Sequence, residues 1–517
     1  MRAGSVVSSM TMISRVLGLL RDICFATVIA DKPGADAFFV AFRVPQFLRR
    51  LFSEGAFSQA FVPVLSEYRV NGSQAAVREL IDRVAGCLGF SLLLVTLPVV
   101  VFSPFFTMLF APGFYIDYPE KFALASELVR ITFPYLLLIS LTGFAGAVLN
   151  SYDRFAVPAI TPVLLNVSLI FAALVMMPWF EEPTMALAWG VMIAGVLQLV
   201  FQLPFLARIH MLPRPKVDFK HEGVKRILTL MIPAMFGVSV GQINLFLDTI
   251  IASFLPTGSV AWLYYADRLY ELPLGVIAIA AGTVILPSLS RDFARQDHEK
   301  FAAKLDWSLR VILLLSLPAA LALLLLAKPI IATLFFYGEN WSDNGVMMSA
   351  IALQAYSLGL LAFMMIKVLV PGYYARQDMK TPVRIGIICM ISNMVLNAVI
   401  VTPLHFFFQL GHVGLAAAST LAAFINMGLL LKGLIDHGIY RFTPGWKKLL
   451  VQMLVASVLM CVVLGVLLRV FTGWFVWFWY ERVAALTVLC VAGFLAYFAA
   501  LYVMGMRTTD FHLQMED

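Results

Sequence analysis

The chain has 517 residues, 61% hydrophobic and only 13% charged, a composition that excludes an ordinary soluble globular protein. Continuously apolar stretches such as 311–327 exclude a β-barrel, whose strands alternate, and a formal charge of +7 is modest for this length. The five cysteines, Cys24, Cys87, Cys389, Cys461 and Cys490, sit in or beside apolar runs without CxxC spacing, so neither a disulfide framework nor a zinc site is expected.

From the N-terminus onward, apolar runs of about 20 to 28 residues recur about fourteen times, which predicts an all-α polytopic membrane protein. The first run passes Arg15, Arg21 and Asp22 with no small-residue cleavage site, and reads as a retained helix rather than a secretory signal. The second carries Asp36, Arg43, Arg49, Arg50 and Glu54. Few later runs carry anything similar until 208–226, a polar, basic, proline-bearing linker. The seventh run holds a lone acid, Asp248, and the sequence GVSVG at 237–241. That motif matches both a serine-hydrolase elbow and a helix-packing pattern; packing is preferred, because an elbow needs a strand-turn-helix and a histidine, and all seven histidines are expected in loops. The eighth run carries Asp267, Arg268 and Glu271, and the tenth carries Lys367 without an evident partner. Asn393 and Asn397 lie one turn apart in the eleventh; with Asp248 and Thr420 they offer oxygens that Na⁺ would accept, although hydrogen bonding between helices is the preferred reading. The last two runs, near 449–472 and 482–503, are bracketed by Trp446, Trp474, Trp477 and Trp479 as expected interfacial anchors.

The chain is written twice. Pro63 and Pro287 stand 224 residues apart in similar surroundings, as do Pro158 and Pro382, while Pro104 and Pro329 stand 225 apart. A shared offset predicts two parallel six-helix repeats related by an axis along the membrane normal. The expected organisation is an N-lobe at 1–207, a cytoplasmic linker at 208–226, a C-lobe at 227–436, and two extra helices with a tail at 437–517. Lys and Arg crowd alternate loops, so the positive-inside rule puts both termini in the cytoplasm and explains the basic patches better than nucleic acid does. Duplicated lobes predict a transporter that alternates access to a site between them, and no convincing acid, base or metal constellation argues for an enzyme.

An arginine at the bilayer centre costs about 2.5 to 3.5 kcal/mol, so the charges of the first, second and eighth runs are expected to line an interior. Arg50 and Glu54 are spaced to pair along a helix, as are Arg268 and Glu271, and Arg43, Arg49 or Arg50 can snorkel. Arg15 and Asp22 lie about 10 Å apart, too far to pair. The arginines left over predict a central cationic cavity faced by at least three of Arg15, Arg21, Arg49 and Arg268. Guanidinium groups bind phosphate oxygens through paired, charge-assisted hydrogen bonds, so the expected cargo carries a phosphate or pyrophosphate. Asp36, Glu54 and Glu271 are expected to pair with the arginines when that site is empty, and Gly18 to give room for close approach.

The segments SSMTMISRVLGLLRD (8–22), ADAFFVAFRVPQFLRRLFSEGAFSQAFVPVLSEY (35–68), YYADRLYELPLGV (264–276) and ARQDMKTPV (375–383) resemble the MurJ (MviN) lipid II flippase family of the multidrug/oligosaccharidyl-lipid/polysaccharide exporter superfamily. The resemblance covers essentially the whole chain. It implies fourteen helices in the bacterial inner membrane and the flipping of undecaprenyl-pyrophosphate-linked disaccharide pentapeptide, lipid II, from the cytoplasmic to the periplasmic leaflet for peptidoglycan synthesis. By motif position it implies functional roles for Arg15, Arg21, Asp22, Ala26, Asp36, Arg49, Glu54, Arg268 and Glu271, with Arg50 beside them. Ala261 stands where some relatives carry a serine. The resemblance further implies a sodium site on the seventh, eleventh and twelfth helices, where Asp248, Asn393, Asn397 and Thr420 fall, and a terminal pair that shapes a groove for the polyprenyl tail. No organic cofactor is expected; the energy source is Na⁺ or the membrane potential, and candidate protein partners are the cell-wall synthesis machinery. The rival readings are a flippase for another undecaprenyl-linked saccharide of O-antigen type and a cation-coupled multidrug exporter, against which the arginine excess argues.

Overall fold

The computed structural model describes residues 2–50, 57–280, 284–338 and 340–507. Glu54 lies outside the described residues, as do Gly55 and Ala56. Among the described residues the secondary structure is helical with no strand, as the uninterrupted apolar runs predict. They form two compact units, Met1–Ala261 with Tyr337–Asn340, and Trp262–Phe336 with Trp341–Asp517.

The first unit contains α1 (Arg2–Val28), α2 (Pro33–Arg49), α3 (Ser58–Asn71), α4 (Gln74–Val101), α5 (Ser103–Phe110), α6 (Pro112–Asp117), α7 (Pro119–Thr132), α8 (Tyr135–Ser151), α9 (Ala156–Phe171), α10 (Pro183–Arg208) and α11 (Glu222–Ser253). α12 (Ser259–Ala280) begins in it and runs on into the second unit. The second unit continues with α13 (Leu286–Ala294), α14 (His298–Phe335), α15 (Asp343–Tyr374), α16 (Lys380–Leu396), α17 (Thr402–Phe408), α18 (Gly411–Asp436), α19 (Trp446–Val470) and α20 (Trp479–Val503). Starts follow helix-terminus chemistry. Pro33, Pro119 and Pro183 occupy first-turn positions where a missing N–H costs nothing. Ser73, Asp297 and Ser342 accept N–H groups of the first turns of α4, α14 and α15 at 3.2, 3.0 and 2.9 Å.

Among the described residues, ten helical stretches are long and apolar enough to cross a membrane. The other expected spans coincide with α1, α2 with α3, α11, and α12, the helices that hold most of the ionisable residues noted above. The duplication has a backbone counterpart. α9 passes into a π-turn at Ala172–Met176 and α16 into one at Asn397–Val401, which begin 225 residues apart.

The linker is strapped to α4. Asp82 Oδ1 accepts the Arg214 N–H at 2.7 Å, the Asp82 carbonyl accepts the Lys216 N–H at 3.0 Å, and Arg83 pairs with Asp218. A Cβ at Gly86 would overlap the Lys216 backbone, so only glycine admits the strap. α11, expected to open the C-lobe, packs against α3 and α6 of the first unit. Arg226 pairs with Glu67 at 2.7 Å, and Ser253 Oγ accepts the Gly113 N–H at 3.0 Å where a glycine lets the backbones meet.

In the second unit, α14 packs with α15, α15 with α18, and the terminal pair α19–α20 rests on α14. Asp306 of α14 accepts Tyr440 Oη (2.7 Å), Thr443 Oγ1 (2.6 Å), Trp446 Nε1 (2.7 Å) and Arg310 Nε (2.8 Å). Burial and the bond to Asp306 push the Tyr440 phenol pKa well above its ordinary value. Tyr497 Oη donates to the Leu314 carbonyl at 3.0 Å, and Arg482 Nη1 donates to the carbonyls of Ala332 (3.2 Å) and Phe336 (2.7 Å), a cation at the C-terminal end of α14.

Trp446 is tied to Asp306, and Trp474 is buried with its Nε1 donating to the Phe471 carbonyl. One expectation is corrected here. The histidines are not all in loops: His298, His405 and His412 lie in α14, α17 and α18, and His412 is fully buried against the Trp262 ring.

Candidate functional site

α1 carries mostly apolar side chains from Met10 onward, so the charge at its Arg21 and Asp22 is the anomaly to be explained. Arg21 is only 7% exposed and Asp22 only 3%. Arg21 Nε and Nη2 both donate to Asp22 Oδ1, at 2.9 and 2.7 Å, and the guanidinium lies over the Phe25 ring, 5.5 Å from its centre. A second partner comes from α9: Arg21 Nη1 donates to Asn166 Oδ1 at 2.9 Å. Asn166 Nδ2 in turn donates to the Ser14 carbonyl at 2.9 Å. Gly18 sits on α1 between those contacts, but a Cβ there would meet Asn166 Nδ2 at 3.8 Å, an ordinary van der Waals distance, so the approach of α9 to α1 does not depend on a glycine at this position. Ala26, one turn beyond Asp22, is completely buried.

Arg15 is half-buried on the same helix, and Arg49 and Arg50 are half-buried at the end of α2. Arg43 Nη1 reaches Thr249 Oγ1 of α11 at 3.5 Å, the limit of a hydrogen bond. In the second unit Arg268 Nη1 donates to Glu271 Oε2 at 3.2 Å, the pairing its spacing predicted, and its guanidinium lies 5.0 Å from the centre of the Tyr264 ring. The arginine excess read from the sequence is therefore smaller in the folded chain: Arg21 and Arg268 each have a carboxylate partner. The Arg21 pairing was missed because only Arg15 was weighed as a partner for Asp22, and adjacent residues on a helix diverge unless a long side chain folds back.

Asp36 departs from expectation more sharply. Instead of pairing with an arginine, its carboxylate holds Lys121 Nζ of α7 at 3.1 Å and accepts the backbone N–H groups of Gly258 (2.7 Å) and Ala261 (3.0 Å) at the start of α12. Lys121 also donates to Thr257 Oγ1 at 3.0 Å and lies over the Phe114 and Tyr118 rings. Both members of this pair are almost completely buried, so the reason is satisfaction: three donors converge on one desolvated carboxylate. The one available signal was a solitary lysine in a stretch otherwise poor in basic residues. The hydroxyl missing at Ala261 is not needed for this contact, which uses the backbone.

Of the four oxygen-bearing residues, Asp248 is half-buried in the first unit, and Asn393, Asn397 and Thr420 are buried in the second. Thr420 Oγ1 donates to the Ala355 carbonyl of α15 at 2.8 Å, as hydrogen bonding between helices predicts, whereas Asn397 Nδ2 donates to Asn393 Oδ1 at 2.9 Å one turn back along its own helix. The helix α11 is continuous through 237–241, which removes the nucleophile elbow.

The family model for the lipid II flippase MurJ matches residues 25–485. A probable lipid II flippase MurJ of Vibrio cholerae is 47% identical over 516 residues, covering 99% of this chain and 97% of that protein. A lipid II flippase MurJ of Burkholderia cenocepacia is 41% identical over 519 residues, covering 99% and 98%. Among solved structures, a lipid II flippase MurJ in an inward closed conformation is similar with a TM-score of 0.78 at 28% identity, covering 96% of this chain and 98% of that one. An inward-facing multidrug resistance MATE transporter of the MOP superfamily shares the fold, with a TM-score of 0.67 at 16% identity over 84% of this chain and 97% of that one.

Proposed function

The chain belongs to the lipid II flippase MurJ family, and we infer from that membership that it is a multi-pass transporter of the bacterial inner membrane. It flips undecaprenyl-pyrophosphate-linked disaccharide pentapeptide from the cytoplasmic to the periplasmic leaflet by alternating access. The observation that carries this reading is identity of 41–47% along almost the full length of relatives so named. The arginine-bearing helices give it a chemical footing, because a buried guanidinium is a selective receptor for phosphate oxygens.

In the mechanism we propose, the pyrophosphate takes Arg21, Arg49 and Arg268 as ligands while the polyprenyl tail stays in lipid. Arg15, Arg50, Glu54 and Ala26 are assigned to the same path. The substrate competes with Asp22 for Arg21 and with Glu271 for Arg268. Exchanging one anionic partner for another keeps the Arg21 guanidinium paired and avoids the cost of about 3 to 5 kcal/mol for stranding that buried cation. Asp36 is left out of this exchange because Lys121 and two backbone N–H groups already occupy it.

The moving bodies are assigned as 1–207 and 227–436, joined by 208–226 and followed by 437–517, with both termini cytoplasmic. Moving charge through the membrane field is worth about 2.3 kcal/mol per charge per 100 mV, which makes the potential a candidate energy source beside Na⁺. Asp248, Asn393, Asn397 and Thr420 suit Na⁺ in kind, since all offer hard oxygen donors; the ion would supply coupling to a gradient. No covalent step is assigned, and enzymes of cell-wall synthesis are the proposed protein partners.

The deciding experiment is depletion of the protein in living cells with lipid II accessibility measured on each leaflet. Accumulation confined to the cytoplasmic leaflet is expected. Unchanged access from the periplasm in depleted cells would overturn the assignment.

A further inference from the structure

The structure assigns Asn166 of α9 as the positioning residue that keeps the Arg21 guanidinium in place while its carboxylate partner gives way to a diphosphate. This inference rests on the diphosphate reading above and adds to it a residue on a helix that the charge pattern did not single out.

The argument starts from how Arg21 is held. Its Nε and Nη2 are both spent on one oxygen of Asp22, its own neighbour in sequence, so that contact fixes the guanidinium only to α1. A contact that fixes it to a different helix is Nη1 to Asn166 Oδ1, 2.9 Å, across 145 residues of chain. Asn166 cannot turn away, because its other end is committed: Nδ2 donates to the Ser14 carbonyl at 2.9 Å, two turns back along α1. Only the carboxamide oriented with Oδ1 on the cation and Nδ2 on the carbonyl satisfies both contacts. Asn166 is 5% exposed, so water is a poor substitute for either bond.

The choice of a neutral acceptor matters for anion binding. An aspartate at this position would hold the guanidinium equally well but would add a second negative charge beside the one Asp22 supplies, and would set a carboxylate against the Ser14 carbonyl. An asparagine positions the cation without cancelling its charge. When a diphosphate displaces Asp22, the Asn166 bond survives and helps to present the guanidinium in a fixed plane for paired hydrogen bonding. Asn166 acts through Arg21 and is not assigned a contact with the substrate.

The test uses the purified full-length chain in detergent with two probes, undecaprenyl pyrophosphate and undecaprenol, bound to wild type, Asn166→Asp and Asn166→Ala and quantified by native mass spectrometry. Thermal unfolding is recorded alongside. Wild type is expected to prefer the pyrophosphate. Asn166→Asp, nearly isosteric, should lose about tenfold or more of its affinity for the pyrophosphate, the scale of a charge-assisted hydrogen bond, while binding undecaprenol unchanged. Asn166→Ala should show a smaller loss of the same selectivity. If Asn166→Ala keeps the wild-type preference, or loses affinity for the two probes equally, the positioning role is wrong and Asn166 merely joins α9 to α1, whatever the added charge of Asn166→Asp does. If wild type itself shows no preference for the pyrophosphate, the diphosphate reading fails, a distinct result. Should Asn166→Asp unfold, the alanine variant and its ratio of affinities for the two probes decide.

Discussion

Asp306 and the Arg21–Asp22 pair both bury charge inside helices of a membrane protein, and they are held in opposite ways. Asp306 has four donors from three parts of the chain: Arg310 one turn along its own helix, Tyr440 and Thr443 in the loop before α19, and Trp446 at the start of α19. No ligand can compete with that many converging bonds, so this carboxylate is a rivet that fastens the terminal pair to α14. Arg21 instead spends two N–H groups on a single oxygen of the adjacent residue and a third on a neutral amide. A diphosphate can replace that carboxylate by offering the same kind of acceptor. On the proposed reading, buried charge in this chain marks the substrate path only where the partner set is exchangeable. Asp36 with Lys121 falls on the rivet side of the comparison, although its position in the sequence suggested the other.

The comparison can be broken by mutation. The largest effect on stability is expected from Lys121→Met, which strands the Asp36 carboxylate with only backbone donors and should cost about 3 to 5 kcal/mol. Thermal unfolding of the purified protein measures this, and an unchanged midpoint would show that the pair is dispensable. Asp306→Asn should come next, at about 2 to 3 kcal/mol, because it weakens four bonds to an ionised acceptor. Its signature is loss of stability with the diphosphate-over-undecaprenol preference retained; an altered preference would place Asp306 on the substrate path. Glu271→Gln should be mildest, within about 0.5 kcal/mol, since the Arg268 pair is half-exposed. It should nonetheless raise affinity for undecaprenyl pyrophosphate about two- to fivefold by removing a competing anion. A fall in affinity would mean that Glu271 orients Arg268 instead of competing for it.

The fold was legible because its cause is local. Runs such as 311–327 can only be helices in lipid, the proline offsets of 224 and 225 announce the duplication, and the π-turns of α9 and α16 repeat it at backbone level. The charged helices were legible for the same reason, since desolvation cost attaches to a residue wherever it sits in an apolar run. Partners were not. Asp36 meets Lys121 across 85 residues, Arg21 meets Asn166 across 145, and Asp306 meets Trp446 across 140, distances over which spacing carries no signal. Pairing along one helix, Arg268 with Glu271, was the exception that proved readable. Asp306 escaped notice because it stands near a basic loop, where an acid attracts no suspicion.

The central claim, that a guanidinium in α1 grips the diphosphate during flipping, is tested most directly by reconstitution. Wild type and Arg21→Ala would be placed in vesicles carrying labelled lipid II, with an imposed membrane potential, and appearance of label on the opposite leaflet followed over time. The account predicts transport by wild type and a loss of about 100-fold or more in Arg21→Ala, the scale of two charge-assisted hydrogen bonds, with protein of equal fold and abundance in the vesicles. Equal rates for the two proteins would contradict it.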